Sequence, residues 1–287
     1  MFPTDALLEI ESPFGADAGF LRVLEPDAAS GAAAARAIGD GTYDKPFIVD
    51  EGTTRSLYFT MANIQCVMHA EDPFGLPLAY TRAMTAFLLF HPAPARLALL
   101  GLGGGSLAKF CQRHLPTTDV TAVEINPHVI ALRDAFLVPR DDERFRVVAG
   151  DAAEFVAGAQ ALDVLLLDAY DRDGLPPSLA GGAFYHQARA SLASDGVFVM
   201  NLCGRRKRYV SVIEHVTVAF EGRVVELPVR RDGNVVLFAF KSDRARCRPD
   251  LGAHAAQLKR RFGFDYPRYA QRLMMTPAAW EETVDAT

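Results

Sequence analysis

The sequence predicts an α/β protein in which a doubly wound, mostly parallel sheet of seven strands follows a small N-terminal antiparallel β-domain. Three observations predict it. Residues 96–110 read in direct succession as a buried strand, a glycine turn and the opening of a helix. From there strands and helices alternate as far as residue 240, the pattern of a parallel sheet with right-handed crossovers. The first 95 residues read instead as short strands and turns.

Taken in order, residues 1–77 form the small domain, with strands at 7–11, 19–24, 46–50, 55–60 and 63–68. The alanine-rich segment 27–40 suits either a short helix or a loop. Pro73, Gly75 and Pro77 make 71–77 a turn-rich connector. A helix over 78–90, with Ala79, Ala83, Met84, Phe87 and Leu88 on one side, is stopped by Pro92 and Pro94.

The main domain covers residues 78–248. Its strands fall at 97–100, 119–123, 145–148, 163–168 and 197–201, and a terminal hairpin pairs 223–229 with 235–240. Helices follow at 106–114, at 127–136 with Pro127 in its first turn, from 152 onward, at 182–192 and at 209–220. Seven strands closing on an antiparallel pair make a Rossmann-like sheet of the S-adenosylmethionine-methyltransferase type. The remainder, 249–287, reads as helical pieces at 253–262 and 267–273 that cap the sheet or join a subunit contact, with Trp280 near a loose tail.

Composition narrows the function. A chain of 287 residues, half of them hydrophobic, can bury a sizeable core, while a net charge of −5 gives no electrostatic footprint for nucleic acid. The run Arg205 to Arg208 is local and reads as a solvated helix start. No apolar run approaches the roughly 20 residues of a membrane helix, and the N-terminus lacks the pattern of a signal peptide. Cys66, Cys111, Cys203 and Cys247 are scattered without zinc spacing, which points to reduced thiols in a cytoplasmic protein and to no metal site.

The chemistry concentrates at strand ends. Gly101, Gly103, Gly104 and Gly105 let the backbone turn and approach a ligand, and the helix behind them points unpaired N–H groups at whatever lies over the turn. Ser106 occupies the last position of G-x-G-x-x-G, so the dinucleotide fingerprint is incomplete, and the alternating G-x-G-x-G form suits an S-adenosylmethionine-type nucleoside. Glu124, 19 residues past Gly105, ends the second strand of the main domain and can accept from both ribose hydroxyls; Asp151 ends the third and can meet an adenine amino group; Asp168 ends the fourth. Singly each suits a solvated loop; jointly they outline a nucleoside site. Asp171 suits either a partner to Asp168, one carboxylate for each end of a diamine, or, with Asp173, a turn before Gly174 and Pro176, and Tyr80 suits either a substrate contact or packing.

These residues carry a resemblance. Gly-Leu-Gly-Gly-Gly-Ser at 101–106, Val-Glu-Ile-Asn at 123–126, Gly-Asp-Ala at 150–152 and Leu-Asp-Ala-Tyr-Asp at 167–171 resemble the spermidine synthase (polyamine aminopropyltransferase) family, with Asn-Ile-Gln-Cys at 63–66 before them and Phe184-Tyr185 after. The likeness spans roughly residues 55–240 and includes the small β-domain. It implies transfer of an aminopropyl group from decarboxylated S-adenosylmethionine to an amine, with no prosthetic group. The donor would then rest on Gln65, Gly101, Gly103, Gly104, Gly105, Glu124, Ile125, Asp151 and Ala152. Asp168 would be the catalytic base, with Tyr80, Tyr170 and Asp171 at the amine, and the chain would assemble as a dimer or tetramer.

Departures leave alternatives open. The family's glycine loop carries an aspartate for the donor's amino group where this chain has Gly104, and Arg82 stands where the family has an acidic amine ligand. Intact S-adenosylmethionine, hence methyl or aminocarboxypropyl transfer, and a noncatalytic nucleoside-binding or assembly role both stay compatible with the residues, and Arg82 could face a carboxylate.

Overall fold

A computed structural model describes residues 7–12, 19–204, 206–229, 233–246 and 249–274. Strands β1 (Leu8–Glu11), β2 (Phe20–Val23), β3 (Phe47–Asp50), β4 (Thr54–Thr60) and β5 (Asn63–His69) form an antiparallel meander in that order. Between β2 and β3 the alanine-rich segment is a helix, α1 (Ala28–Gly39), started by a capping box in which the Asp27 side chain accepts from Ser30 N–H.

The second sheet comprises β6 (Arg96–Leu100), β7 (Asp119–Glu124), β8 (Phe145–Ala149), β9 (Leu162–Leu167), β10 (Leu192–Leu202), β11 (Val224–Val229) and β12 (Asn234–Phe240). Its order is β11-β12-β10-β9-β6-β7-β8, parallel from β10 to β8, with β12 and β11 antiparallel at the far edge. This is the doubly wound seven-stranded sheet the sequence predicts. The connecting helices are α2 (Ala79–Met84) before β6, α3 (Ser106–His114), α4 (Pro127–Ala131), α5 (Ala152–Gly158), α6 (Gly182–Ser191) and α7 (Val210–Ala219), followed by α8 (Asp243–Arg246), α9 (Leu251–Phe262) and α10 (Tyr266–Met274).

One apolar core runs from Ile48, Leu57 and Met68 of the small sheet, through Leu99 and Val199, to Leu251, Tyr266 and Leu273 of α9 and α10. The C-terminal helices pack on residues 85–89 and on the edge strand β11: His254 Nε2 meets Leu88 O at 2.9 Å and the Tyr266 hydroxyl meets Thr85 Oγ1 at 2.8 Å. Trp280, the tail, Arg205, Cys247 and residues 230–232 of the hairpin turn lie outside the described residues.

Two helices are shorter than their apolar patterns suggest. α4 stops at Ala131 rather than near residue 136, and the chain continues in tighter turns, Leu132 N–H donating to Val129 O and Arg133 N–H to Ile130 O, each at 3.1 Å; beyond them Arg55 donates to Ala135 O at 2.7 Å and Lys109 to Phe136 O at 2.8 Å. After α2 the chain tightens into a 3₁₀ helix (Thr85–Leu89), where the Thr85 hydroxyl donates to Arg82 O at 2.6 Å in competition with the backbone.

Candidate active site

Parallel registry brings the predicted positions to one rim. Leu100 stands opposite both Val123 and Leu167. The ladder then runs one step past the strands: Gly101 N–H donates to Val123 O at 2.8 Å, Asp168 N–H to Leu100 O at 2.9 Å and Gly150 N–H to Glu124 O at 3.0 Å. Gly101, Glu124, Gly150 with Asp151, and Asp168 thus crown four adjacent strands, the position at which open parallel sheets bind ligands. Gly101 is required twice over. Its φ is +94°, and a Cβ there would lie 2.3 Å from Asp168 O, so the first glycine and the Asp168 backbone are in direct contact. Gly103, with φ +52°, has open space within 4 Å of where its Cβ would be.

On the glycine side the polar groups are held by backbone. The buried Glu124 carboxylate accepts from Leu102 N–H at 2.9 Å through Oε2 and from Asn126 N–H at 2.8 Å through Oε1, which fixes it under the turn with lone pairs left for a ligand. Asp151 caps α5, its Oδ1 accepting from Ala153 N–H at 2.7 Å and Glu154 N–H at 3.1 Å, and Ala152 opens that helix. Between them Ile125 is 67% exposed, a large apolar side chain standing at the rim. Strand β5 closes the turn from outside, where Cys66 Sγ shares a hydrogen bond with Ser106 Oγ at 3.2 Å and Gln65 sits half-buried one residue earlier.

That closure explains Gly104. A Cβ on Gly104 would lie 2.4 Å from Cys66 Sγ and 2.9 Å from Phe136, so the volume an aspartate would need is already filled. Lys109, 1% exposed, lies beneath, bonded to Phe136 O and Met68 Sδ, and burial pulls its ammonium down to about 8.

On the other side side chains hold side chains. Asp168 Oδ1 accepts from Asn201 Nδ2 at 2.9 Å, and the Tyr80 hydroxyl donates to the same carboxylate. Burial raises the Asp168 carboxyl above its ordinary value, opposed by the Asn201 and Tyr80 bonds. Burial, together with the Asp168 charge, pushes the Tyr80 phenol well up, so it stays a donor. The Tyr170 hydroxyl donates to Asn201 O at 2.7 Å and accepts from Cys203 N–H at 3.1 Å, so it braces β10.

Two predicted residues stand apart from this cluster. Asp171 is exposed, its Oδ1 accepting from Asp173 N–H at 2.8 Å and Gly174 N–H at 2.9 Å, and no contact among the described residues joins it to Asp168. The next residue, Arg172, donates to Tyr43 O and ties this loop to the small domain. Arg82 does not present a free cation: its guanidinium donates to Leu76 O at 2.7 Å and Pro77 O at 2.8 Å, bracing the connector. Sequence reading missed Asn201 and Asn234, buried amides at the end of β10 and the start of β12. The rule that selects Asp168, a polar residue closing an apolar strand, would have selected Asn201.

Comparisons with known proteins identify the family. The family described as spermine/spermidine synthase domain matches residues 78–214. The polyamine aminopropyltransferase of Neisseria meningitidis serogroup A is 39% identical over 225 residues, covering 77% of this chain and 86% of the relative. That of Chromobacterium violaceum is 38% identical over 232 residues, covering 80% and 89%. Among solved structures, a probable spermidine synthase from Corynebacterium glutamicum superposes with a TM-score of 0.62 at 17% identity, over 75% of this chain and 83% of the other, a likeness of fold.

Proposed function

This chain belongs to the polyamine aminopropyltransferase family, and on that premise we propose that it transfers an aminopropyl group from decarboxylated S-adenosylmethionine to an amine, releasing 5′-methylthioadenosine. One observation carries the reading to these residues: Asp168, with a raised pKa and a tyrosine donor, sits backbone to backbone against the first glycine of an open nucleoside cradle.

In this reading Glu124 takes the ribose and Asp151, through its less engaged oxygen, the adenine, with Ile125 covering one face of the base. Gly101, Gly103, Gly104 and Gly105 let the nucleoside lie close to the turn, and Gln65 and Ala152 border it. The acceptor amine is an ammonium in water and has no lone pair. Asp168 first localises that cation and then takes one of its protons. The neutral nitrogen attacks the carbon bonded to sulfur, and the C–S electron pair leaves with the neutral thioether, conserving charge. A carboxyl held above its ordinary value is a better proton acceptor near neutral pH than an exposed aspartate. Tyr80 orients the carboxylate, Tyr170 braces the wall and Asp171 anchors the far end of the amine.

Titrating the purified protein with decarboxylated S-adenosylmethionine, S-adenosylmethionine and methylthioadenosine, then adding putrescine as probe amine and following methylthioadenosine by mass spectrometry, tests the reading. Preferential binding of the decarboxylated donor with amine-dependent methylthioadenosine release supports it. Turnover of intact S-adenosylmethionine alone, or binding of none of the three, overturns it.

A further inference from the structure

Two buried amides stand in series behind the base. Asn234 Nδ2 donates to Asn201 Oδ1 at 2.8 Å, and Asn201 Nδ2 donates to Asp168 Oδ1 at 2.9 Å. Asn201 is 3% exposed and Asn234 6%, and their neighbours along the strands, Met200, Leu202 and Val236, are buried and apolar. Unpartnered amides there would be costly, so the pair persists because each satisfies the next.

The series has a direction. An amide can turn end for end at little steric cost, presenting either its NH₂ or its carbonyl to Asp168. The NH₂ stabilises a carboxylate, whereas the carbonyl repels it and accepts from a protonated acid. With Asn234 presenting its NH₂, Asn201 is satisfied only with NH₂ toward the base, so Asn201 cannot turn unless Asn234 turns with it, which would set a carbonyl against the ionised carboxylate. The other titratable groups facing Asp168 are Tyr80 on α2, Tyr170 on the loop after β9, Cys66 on β5 and Cys203 after β10. Burial raises all four above their ordinary values, so they stay neutral at working pH and no cation among the described residues offsets the carboxylate. The compensation comes from dipoles, and their orientation decides its sign.

We infer that Asn234 is a positioning residue for the transfer reaction, locking the Asn201 amide so that Asp168 is kept as the ionised base. The inference rests on Asp168 being the base in the proposed function. Asn234→Asp gives the largest shift, because an ionised acceptor at 234 draws the Asn201 NH₂ away, turns its carbonyl toward Asp168 and adds a like charge of its own, and Asn234→Ala, which adds no charge, isolates the amide's share. The acidic limb of the kcat/KM profile then moves up by about one pH unit or more. Activity falls roughly fivefold at the wild-type midpoint for a shift of one unit and recovers above it, with methylthioadenosine affinity unchanged. Asn234→Ala, which only frees the amide, moves the limb the same way by less, and it carries the test should Asn234→Asp fail to melt cooperatively. A uniform loss of kcat with no movement of the limb in a folded variant overturns the inference. The Asp168 carboxyl is also titrated by NMR in the unliganded protein, with Asp168→Asn to assign the signal. If the wild type transfers nothing, an upward midpoint in the Asn234 variants still supports the amide lock while the functional reading fails, and an unmoved midpoint sinks the lock alone.

Discussion

The two halves of the rim solve the same problem, holding polar groups at the top of an apolar sheet, by different means. Around β6, β7 and β8 each carboxylate is fixed by backbone N–H groups: Asp151 by Ala153 and Glu154 and Glu124 by Asn126, all within three residues, with Leu102 of the adjacent glycine turn completing Glu124. Around β9, β10 and β12 the polar atoms are fixed by side chains distant in sequence. Tyr80 lies before the parallel sheet begins, and Asn234 lies in its last strand. The first half is a local motif; the second exists only once the whole sheet is assembled. Substitutions on the glycine side should therefore act through steric fit, and those on the Asp168 side through charge and orientation.

The largest expected effect breaks the second half alone. Asp168→Asn lowers the rate of transfer by about 10³-fold while leaving methylthioadenosine affinity within a few-fold, measured by stopped assays and calorimetry. Next comes the joint on which the cradle leans. Arg55 is fully buried, donates to both Asp50 oxygens at 2.6 Å and also bonds Ala135 O in the segment beside the turn. Burial would raise the Asp50 carboxyl, but Arg55 and Arg22 hold it below the usual range. Arg55→Met costs about 3 kcal/mol in urea unfolding, because Asp50 keeps its charge with one partner lost.

Gly104→Ala sharpens the comparison on the steric side. Its new methyl meets Cys66 Sγ and Phe136 and costs about 2 kcal/mol. A companion Cys66→Gly should recover a good part of that cost, giving a coupling that differential denaturation reads directly. Lys109 gives a pH signature of about 2 kcal/mol. Its folded value near 8 lies below the ordinary 10.5, so below pH 8 the buried charge costs its full amount. Between pH 8 and 10.5 the unfolded chain binds the extra proton and stability rises with pH. Relative to Lys109→Met, wild-type stability should gain that much by pH 10. The smallest effect is at Ile125, whose exposure leaves it little structural work: Ile125→Ser weakens methylthioadenosine binding several-fold with an unchanged melting temperature.

This division also marks what the sequence could disclose. The strand-turn-helix at residues 96–110 and the acidic strand ends at Glu124, Asp151 and Asp168 were legible because each is written in consecutive residues with a period or a turn signal. The helix over 127–136 ends at Ala131 because the backbone tightens into i→i−3 turns at Leu132 and Arg133, which the apolar pattern alone does not disclose. Arg82 looked like a reversal of charge in the amine pocket, yet the connector's carbonyls absorb it. Gly104 looked like a missing ligand; Cys66, from another sheet, fills its place. Asn201 and Asn234 carried no motif, since their meaning depends on β12 running beside β10.

A structure with methylthioadenosine and an amine bound measures the central claim most directly. The account predicts the nucleoside over residues 101–105, its ribose on Glu124 and its adenine toward Asp151. The amine nitrogen should lie within hydrogen-bond reach of Asp168, roughly 3 Å. A nucleoside seated away from the glycine turn, or an amine held with Asp168 facing elsewhere, would contradict it.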